Sequence, residues 1–396
     1  MKKTWLAAAA VAAAGSITAH AQSNVTLYGI LDEGLQFNTN AKNVVNGKNV
    51  GGRQLSVDSI NGLNGSRWGI RGAEDLGDGL KAIFDLQGGI NLNTGGFGQG
   101  NTPFGRTTYV GLSSKHYGTV TLGRQYDLVV AYVQPVTSTG YIGGSTTFGH
   151  PVDLDNLVNT LRVNNSIKYV SPDFNGLNFG AEVSLGGQPG NISGGSGYSF
   201  GAAYARGPLT LGAGFNYFKN PTGPSAGTGF FTDNVSGATS LSGVMNSNYV
   251  TASSYQVAAV GGTYAIGPAL VGLTYTNTQY GNVAAIGGAS PKFNDVEAGL
   301  RWQFTPAFLA GIAYNYTTST GVDVKGATLG DQHYHQVSVL VDYFLSKRTD
   351  FYFTAAIQKA AGVSSTGSAA VANIGGYGDS SNDRQAVVRL AMRHRF

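Results

Sequence analysis

Past residue 21, apolar and polar positions alternate one for one through stretches of ~9–11 residues, each bounded by turn-forming residues. Over 177–185 the apolar set is Leu177, Phe179, Ala181, Val183 and Leu185, against Asn178, Gly180, Glu182 and Ser184. Over 209–217, Leu209, Leu211, Ala213, Phe215 and Tyr217 stand against Thr210, Gly212, Gly214 and Asn216. Over 296–304, Val296, Ala298, Leu300, Trp302 and Phe304 stand against Glu297, Gly299, Arg301 and Gln303. A period of two puts each set on its own face of a strand. The stretch "SRWGIRGAEDLGDGLKAIFDLQGG" (66–89) does the same on both sides of a turn, with Arg67 and Arg71 on one face and Trp68 and Ile70 on the other. Strands of this length cross a bilayer when tilted. The make-up of the polar face decides what they border. In a soluble sheet that face meets water and carries many Lys and Glu. Here it is mostly Gly, Thr, Asn and Ser with an occasional Arg or Glu, as a water-filled lumen requires. The apolar face often ends in an aromatic, as at Tyr217, Trp302 and Phe304, the place of an interfacial girdle.

Connections alternate in length. Residues 75–79, 116–118, 172–176, 206–208, 266–268, 304–306 and 346–349 are short turns, whereas 38–52, 90–103, 127–161, 220–252 and 362–382 are long. Short turns at one end and long loops at the other are the outer-membrane arrangement. The alternating segments number about sixteen, an even count that lets a barrel close around an aqueous channel. Periodicity blurs over 54–66 and 253–265. The last segment sets Val388, Leu390, Met392, His394 and Phe396 against Val387, Arg389, Arg393 and Arg395. Closure requires the first strand, 25–37, to pair with it so that no edge remains in lipid. Glu33 then falls on the lipid-facing parity. The expected fold is all-β, a transmembrane antiparallel β-barrel.

Charged residues make up 12% of the chain, about half the usual ~25%, so the surface is not built for water all round. With 60 glycines and 11 prolines the composition is that of turn-rich β-structure and not of collagen. The sequence has no cysteine, hence no disulfide framework and no thiolate metal site. Residues 1–21 read as a secretory signal: Lys2 and Lys3, an apolar run over 6–14, then Ala19-His20-Ala21 as the cleavage site. That run is about half the ~18 residues a spanning helix needs. The expected division is a cleaved signal peptide, 1–21, and a barrel, 22–396. Without Lys2 and Lys3, 23 basic residues balance 21 acidic ones with no block of like charge, which speaks against a nucleic-acid partner.

Six stretches together resemble the Gram-negative general porins, most closely those of beta-proteobacteria: "SRWGIRGAEDLGDGLKAIFDLQ" (66–87), "FGRTTYVGL" (104–112), "YGTVTLGRQYD" (117–127), "NNSIKYVSP" (164–172), "DYFLSKRTDFY" (342–352) and the closing "RLAMRHRF". The resemblance implies an outer-membrane homotrimer of sixteen-stranded barrels that passes ions and small hydrophilic solutes. It implies a long third external loop folded inward to narrow each barrel, with a ladder of wall arginines facing acidic groups on that loop. Carried over by motif, the basic side is Arg67, Arg106 and Arg162, with Arg71, Arg124 and Lys168 as further wall candidates. The acidic side is Asp127, Asp153 and Asp155. Parity supports Arg67, Arg71, Arg162 and Lys168. Arg106 shares parity with Val110, and Arg124 with Val120, so each needs a bulge or a place beyond the regular strand. The Pro-Glu-Phe-Gly-Gly pattern of the enterobacterial loop is replaced by "PVTSTGYIGGSTTFGH" (135–150). Terminal Phe396 resembles the sorting signal read by the barrel assembly machinery, which joins outer-membrane lipids as an expected partner. Guanidinium groups clustered in a narrow low-dielectric cleft concentrate anions, so a moderate anion preference is expected.

The remaining constellations have plainer readings. Asp331, His333 and His335 share one parity, but three positions on one strand do not converge on a metal unaided. Asp153 and Asp155 lack the Gly and closing Glu of a calcium loop. "NTGGFGQG" (93–100) has no phosphate-cradle spacing, and "GYSFG" (197–201) leads into a strand and not the helix of a nucleophile elbow. Neither a cofactor nor catalysis is expected. The alternatives to a general pore are a substrate-specific porin or a surface-binding barrel that uses the long loops.

Overall fold

The computed structural model describes residues 24–46, 48–144, 146–223, 229–234, 241 and 243–396; the signal segment expected at 1–21 lies outside the described residues. The wall begins with β1 (Asn24–Ala41), β2 in two pieces (Gly52–Asp58 and Arg67–Gly77), β3 (Leu80–Gly89), β4 (Thr107–Ser114) and β5 (Gly118–Gln125). It continues with β6 (Val163–Val170), β7 (Leu177–Ser184), β8 (Gly197–Arg206), β9 (Leu209–Lys219), β10 (Ser254–Ile266) and β11 (Ala269–Gly281). The last five are β12 (Lys292–Thr305), β13 (Phe308–Thr320), β14 (His333–Phe344), β15 (Thr349–Ala361) and β16 (Arg384–Arg395). Each strand pairs antiparallel with the next, and β1 also pairs with β16, from Ile30 opposite Arg395 to Asn38 opposite Val387. The sixteen strands therefore close without a free edge, the one way a sheet satisfies its backbone in lipid.

Alternation sorts the faces as expected. Leu211, Val296, Ile312 and Leu390 are exposed on the outside, while Thr274, Thr276, Gln336 and Thr354 are buried on the inside. Glu33 does lie on the outward parity of β1, where the Asn93 amide approaches its carboxylate at 3.5 Å. Phe396 exchanges two backbone hydrogen bonds of 3.0 Å with Gly29. Its ring occupies the space where a Cβ on Gly29 would come within 2.3 Å.

The two blurred stretches have different causes. Residues 59–66 leave the ladder, so β1 takes the pieces of β2 in two registers, Gly34 opposite Asp58 and Ile30 opposite Arg67. Strand β10 is regular, but its inner face carries Tyr255, Val257 and Ala259, which are buried under loops and so read as apolar on both sides.

The third long loop, described over residues 126–144 and 146–162 between β5 and β6, lies on the inner face of the wall. It opens with helix α1 (Leu128–Val133), whose N-cap is Asp127. Val129, Val133, Leu154 and Leu157 share one buried cluster with Phe218, Phe230 and Tyr255, and the Phe218 and Phe230 rings stack at 4.0 Å. Each such side chain removed from water contributes roughly 1.5–3 kcal/mol, enough together to seat a loop. The wall under the seat is glycine. A Cβ at Gly201 would lie 2.3 Å from the Tyr132 ring, and one at Gly272 2.4 Å from the Tyr141 ring. Only hydrogen leaves room for the loop to touch the sheet there.

Candidate pore constriction

Three arginines reach one cavity of about 890 Å³ from three strand ends. Arg67 is the first residue of the second piece of β2, Arg106 immediately precedes β4, and Arg162 immediately precedes β6. Position at a strand end removes the parity objection to Arg106, whose backbone N–H donates to the Gln87 carbonyl at 3.0 Å outside the ladder. Tyr126 ties two of them: its hydroxyl accepts from Arg106 Nη2 at 3.0 Å and from Arg162 Nη2 at 2.9 Å. The Arg162 guanidinium also stands 4.9 Å from the Tyr126 ring centre. Arg106 Nε donates to Gln87 at 2.8 Å, and Arg162 Nη1 to the Thr160 carbonyl at 2.8 Å. The Arg67 side chain has no hydrogen-bond partner among the described residues, and none of the three arginines has a carboxylate in ion-pair contact there. Burial would raise the Tyr126 pKa, but the charges of Arg106, Arg162 and Arg67 outweigh it and bring the phenol down to about 8.

Two other lumenal arginines are neutralised. Arg389 pairs with Asp32 at 3.1 Å and Asp58 at 2.8 Å, and Arg393 pairs with Asp350 at 3.0 Å and Asp342 at 3.5 Å. Together they anchor the 59–66 inset, which lines the same cavity. Arg393 Nη1 donates to the Asn64 side chain at 2.6 Å, and the Asn64 backbone N–H donates to Asp32 at 3.1 Å. The inset in turn meets the third loop, with Thr146 Oγ1 donating to the Asn61 carbonyl at 3.0 Å. Sequence reasoning missed the inset because its residues follow no period; the parity of Arg389 and Arg393 in β16 was the available sign.

The other candidates stand elsewhere. Arg71 lines a separate cavity of about 490 Å³, its guanidinium 5.0 Å from the Tyr28 ring centre. Lys168 donates to the Tyr126 carbonyl and so roots the third loop. Arg124 is a correction: a bulge does occur at Gly123, yet the side chain binds Gly105 O, Asn164 and Asn234 and does not line the cavity. Two of the three acids are corrections as well. Asp127, fully buried, caps α1 by accepting from Val130 N at 3.0 Å and from Asn156 at 3.0 Å. Asp155, also fully buried, binds His150 Nδ1 at 2.5 Å and Thr276 at 2.8 Å. Only Asp153 lines the cavity, accepting from Val158 N at 2.8 Å and from Thr160 N at 3.2 Å. Burial, then the Asp155 charge, raises its pKa to about 7 against those hydrogen bonds.

His150 is the clamp between loop and wall, and no spacing in the sequence pointed to it. Its Nε2 meets Asp295 at 3.1 Å and Glu297 at 3.5 Å, both on β12, while Nδ1 holds Asp155 of the loop. Burial disfavours the imidazolium, yet Asp155 and Asp295 outweigh it and raise the His150 pKa well above the ordinary value. Glu297 also accepts the Ser138 backbone N–H at 2.7 Å. Among the described residues no group of His, Asp and Glu is arranged to hold a metal ion.

A closed sixteen-stranded wall around a loop-narrowed, arginine-lined cavity agrees with the sequence profile of one family, described as Gram-negative porin, which matches residues 7–362. The chain belongs to the Gram-negative porin family. It is 38% identical over 192 residues to an outer membrane porin of Bordetella pertussis, a match covering 47% of this chain and 48% of that one. It is 37% identical over 193 residues to outer membrane porin protein 32 of Delftia acidovorans, covering 46% and 48%. The porin thus aligns with about half the length of these curated relatives. In fold it is similar to the anion-selective porin from Comamonas acidovorans, with TM-score 0.70, 23% identity and coverage of 95% and 100%. It also resembles OmpT of Vibrio cholerae in its trimer form, with TM-score 0.60, 17% identity and coverage of 94% and 99%. The porin is an outer-membrane protein.

Proposed function

We propose that this porin is a general diffusion channel for ions and small hydrophilic solutes, with a moderate preference for anions. The observation that carries the reading is the convergence of Arg67, Arg106 and Arg162 on one cavity with no carboxylate paired to them among the described residues. Three permanent charges in a low-dielectric cleft raise the local anion concentration, and Asp153, neutral in part near pH 7, offsets one of them incompletely. Residues 1–21 are removed on export, Phe396 is the mark read by the assembly machinery, and three copies assemble, as in the trimer form of OmpT.

Liposome swelling tests this reading. Purified porin in neutral vesicles should admit a small neutral sugar in proportion to its concentration. It should admit an organic anion of equal size faster than the matching cation. No swelling with folded barrels contradicts the channel; uptake that saturates favours a substrate-specific porin.

A further inference from the structure

A row of polar side chains that ends in two cations crosses the outside of the barrel at its long-loop end. In the strand register Tyr316 stands opposite His335, His335 opposite Lys359, and Lys359 opposite Arg384. All four share the outward parity of the exposed Tyr314, Val337, Ile357 and Val388 just below them. Lys359 and Arg384 are exposed, and neither side chain has a hydrogen bond or ion pair among the described residues. His335 Nδ1 lies 2.6 Å from the Tyr314 hydroxyl, and the ring centres of His335 and Tyr316 are 4.8 Å apart.

Like charges directly opposite on a sheet repel, so a Lys359–Arg384 pair costs stability unless an anion lies between them. Their height says which anion is available. On β15 the outward residues run Phe351, Phe353, Ala355, Ile357, Lys359. Eight residues at ~3.3 Å each and a tilt of ~40° raise Lys359 about 20 Å above Phe351, close to the ~25 Å of an apolar band. The row therefore sits where acyl chains give way to headgroups, on the side of the long external loops. We propose that Lys359 and Arg384, flanked by His335 and Tyr316, bind the phosphate of a phosphorylated glycolipid of the outer leaflet. Arg384 offers a planar fork and Lys359 a point charge to the phosphate. Ile357, Val337 and Val388 take the acyl chains beneath, and Tyr316 faces the sugar.

Native mass spectrometry of the refolded porin in detergent tests this site with bis-phosphorylated lipid A as the probe. Wild type should retain the lipid, and Lys359→Ala with Arg384→Ala should weaken binding about 30-fold, roughly fivefold per cation near an anionic surface. Lys359→Arg with Arg384→Lys should keep most of it. Equal retention by the double alanine variant, shown folded by its heat-modifiable migration, overturns the proposal. So does equal binding of dephosphorylated lipid A by wild type, a comparison that needs no variant. Displacement of the lipid by inorganic phosphate alone would make this a free-anion site and also overturn it.

Discussion

Tyr126 should make the proposed anion preference of this porin depend on pH, and the expected size of the effect follows from its geometry. Its hydroxyl accepts from both Arg106 and Arg162, whose charges hold the pKa near 8 despite burial. With that value roughly a tenth of the phenol is ionised at pH 7 and about nine tenths at pH 9. Because the folded pKa is depressed, raising the pH adds a negative charge to the three arginines, and their net charge falls from +3 towards +2. A permeating anion about 8 Å away, at an effective dielectric constant of ~60 in a wet constriction, loses roughly 0.7 kcal/mol of attraction, about threefold in occupancy. The perturbation is Tyr126→Phe, and the assay is the anion-to-cation permeability ratio from reversal potentials in dilute salt between pH 7 and pH 9. Asp153 also titrates near 7, so both proteins carry Asp153→Asn. The tyrosine form should lose about threefold of its anion preference across this window, and the phenylalanine form should hold constant. A flat profile with Tyr126 present, or the same fall without it, would show that the Tyr126 hydroxyl does not carry the charge.

Asp153→Asn in the otherwise unaltered porin should raise anion preference above pH 7, where the native carboxyl is ionised, and leave it unchanged near pH 5; reversal potentials at the two pH values check this. His150→Gln removes the cation among Asp155, Asp295 and Glu297, leaving buried carboxylates uncompensated at a cost of about 3–5 kcal/mol. Open-channel noise and protease cleavage within 126–162 should both increase, and unchanged values would show that the clamp does not hold the loop. Gly272→Val should push Tyr141 off the wall, because its Cβ would sit 2.4 Å from that ring. Such overpacking costs about 1–3 kcal/mol, and single-channel conductance should change while the heat-modifiable migration of the folded barrel on gels does not.

Strands were legible in the sequence wherever one face met lipid and the other water. Leu177, Phe179 and Val183 are exposed outside, while Glu182 and Ser184 are buried inside. Closure was legible too, since β16 had to find β1. The pattern failed where loops cover the lumen, because Tyr255 and Val257 face inward and apolar under the loop cluster. It also failed at 59–66, whose inward course depends on Asp32, Arg389 and Arg393 on strands far away in the chain. At the constriction, motif and parity placed Arg67 and Arg162 at the cavity, and Arg106 joined them from just outside its strand. The acids were harder for a physical reason. A carboxylate on an inward loop either faces water or pins the loop, and which it does depends on what packs across it. For Asp155 that is His150 and Thr276, and for Asp127 it is the start of its own helix.

Three arginines with no ion-paired carboxylate among the described residues set the charge of the proposed constriction. A reversal potential across a planar bilayer, with potassium chloride more concentrated on one side, tests it most directly because the two ions diffuse almost equally in water. The expected result is a stepwise conductance that reverses towards the chloride potential, moving towards zero as Arg67, Arg106 and Arg162 are each replaced by alanine. Reversal towards the potassium potential in the wild-type porin would overturn this and give the selectivity to acidic groups such as Asp153, which lines the same cavity.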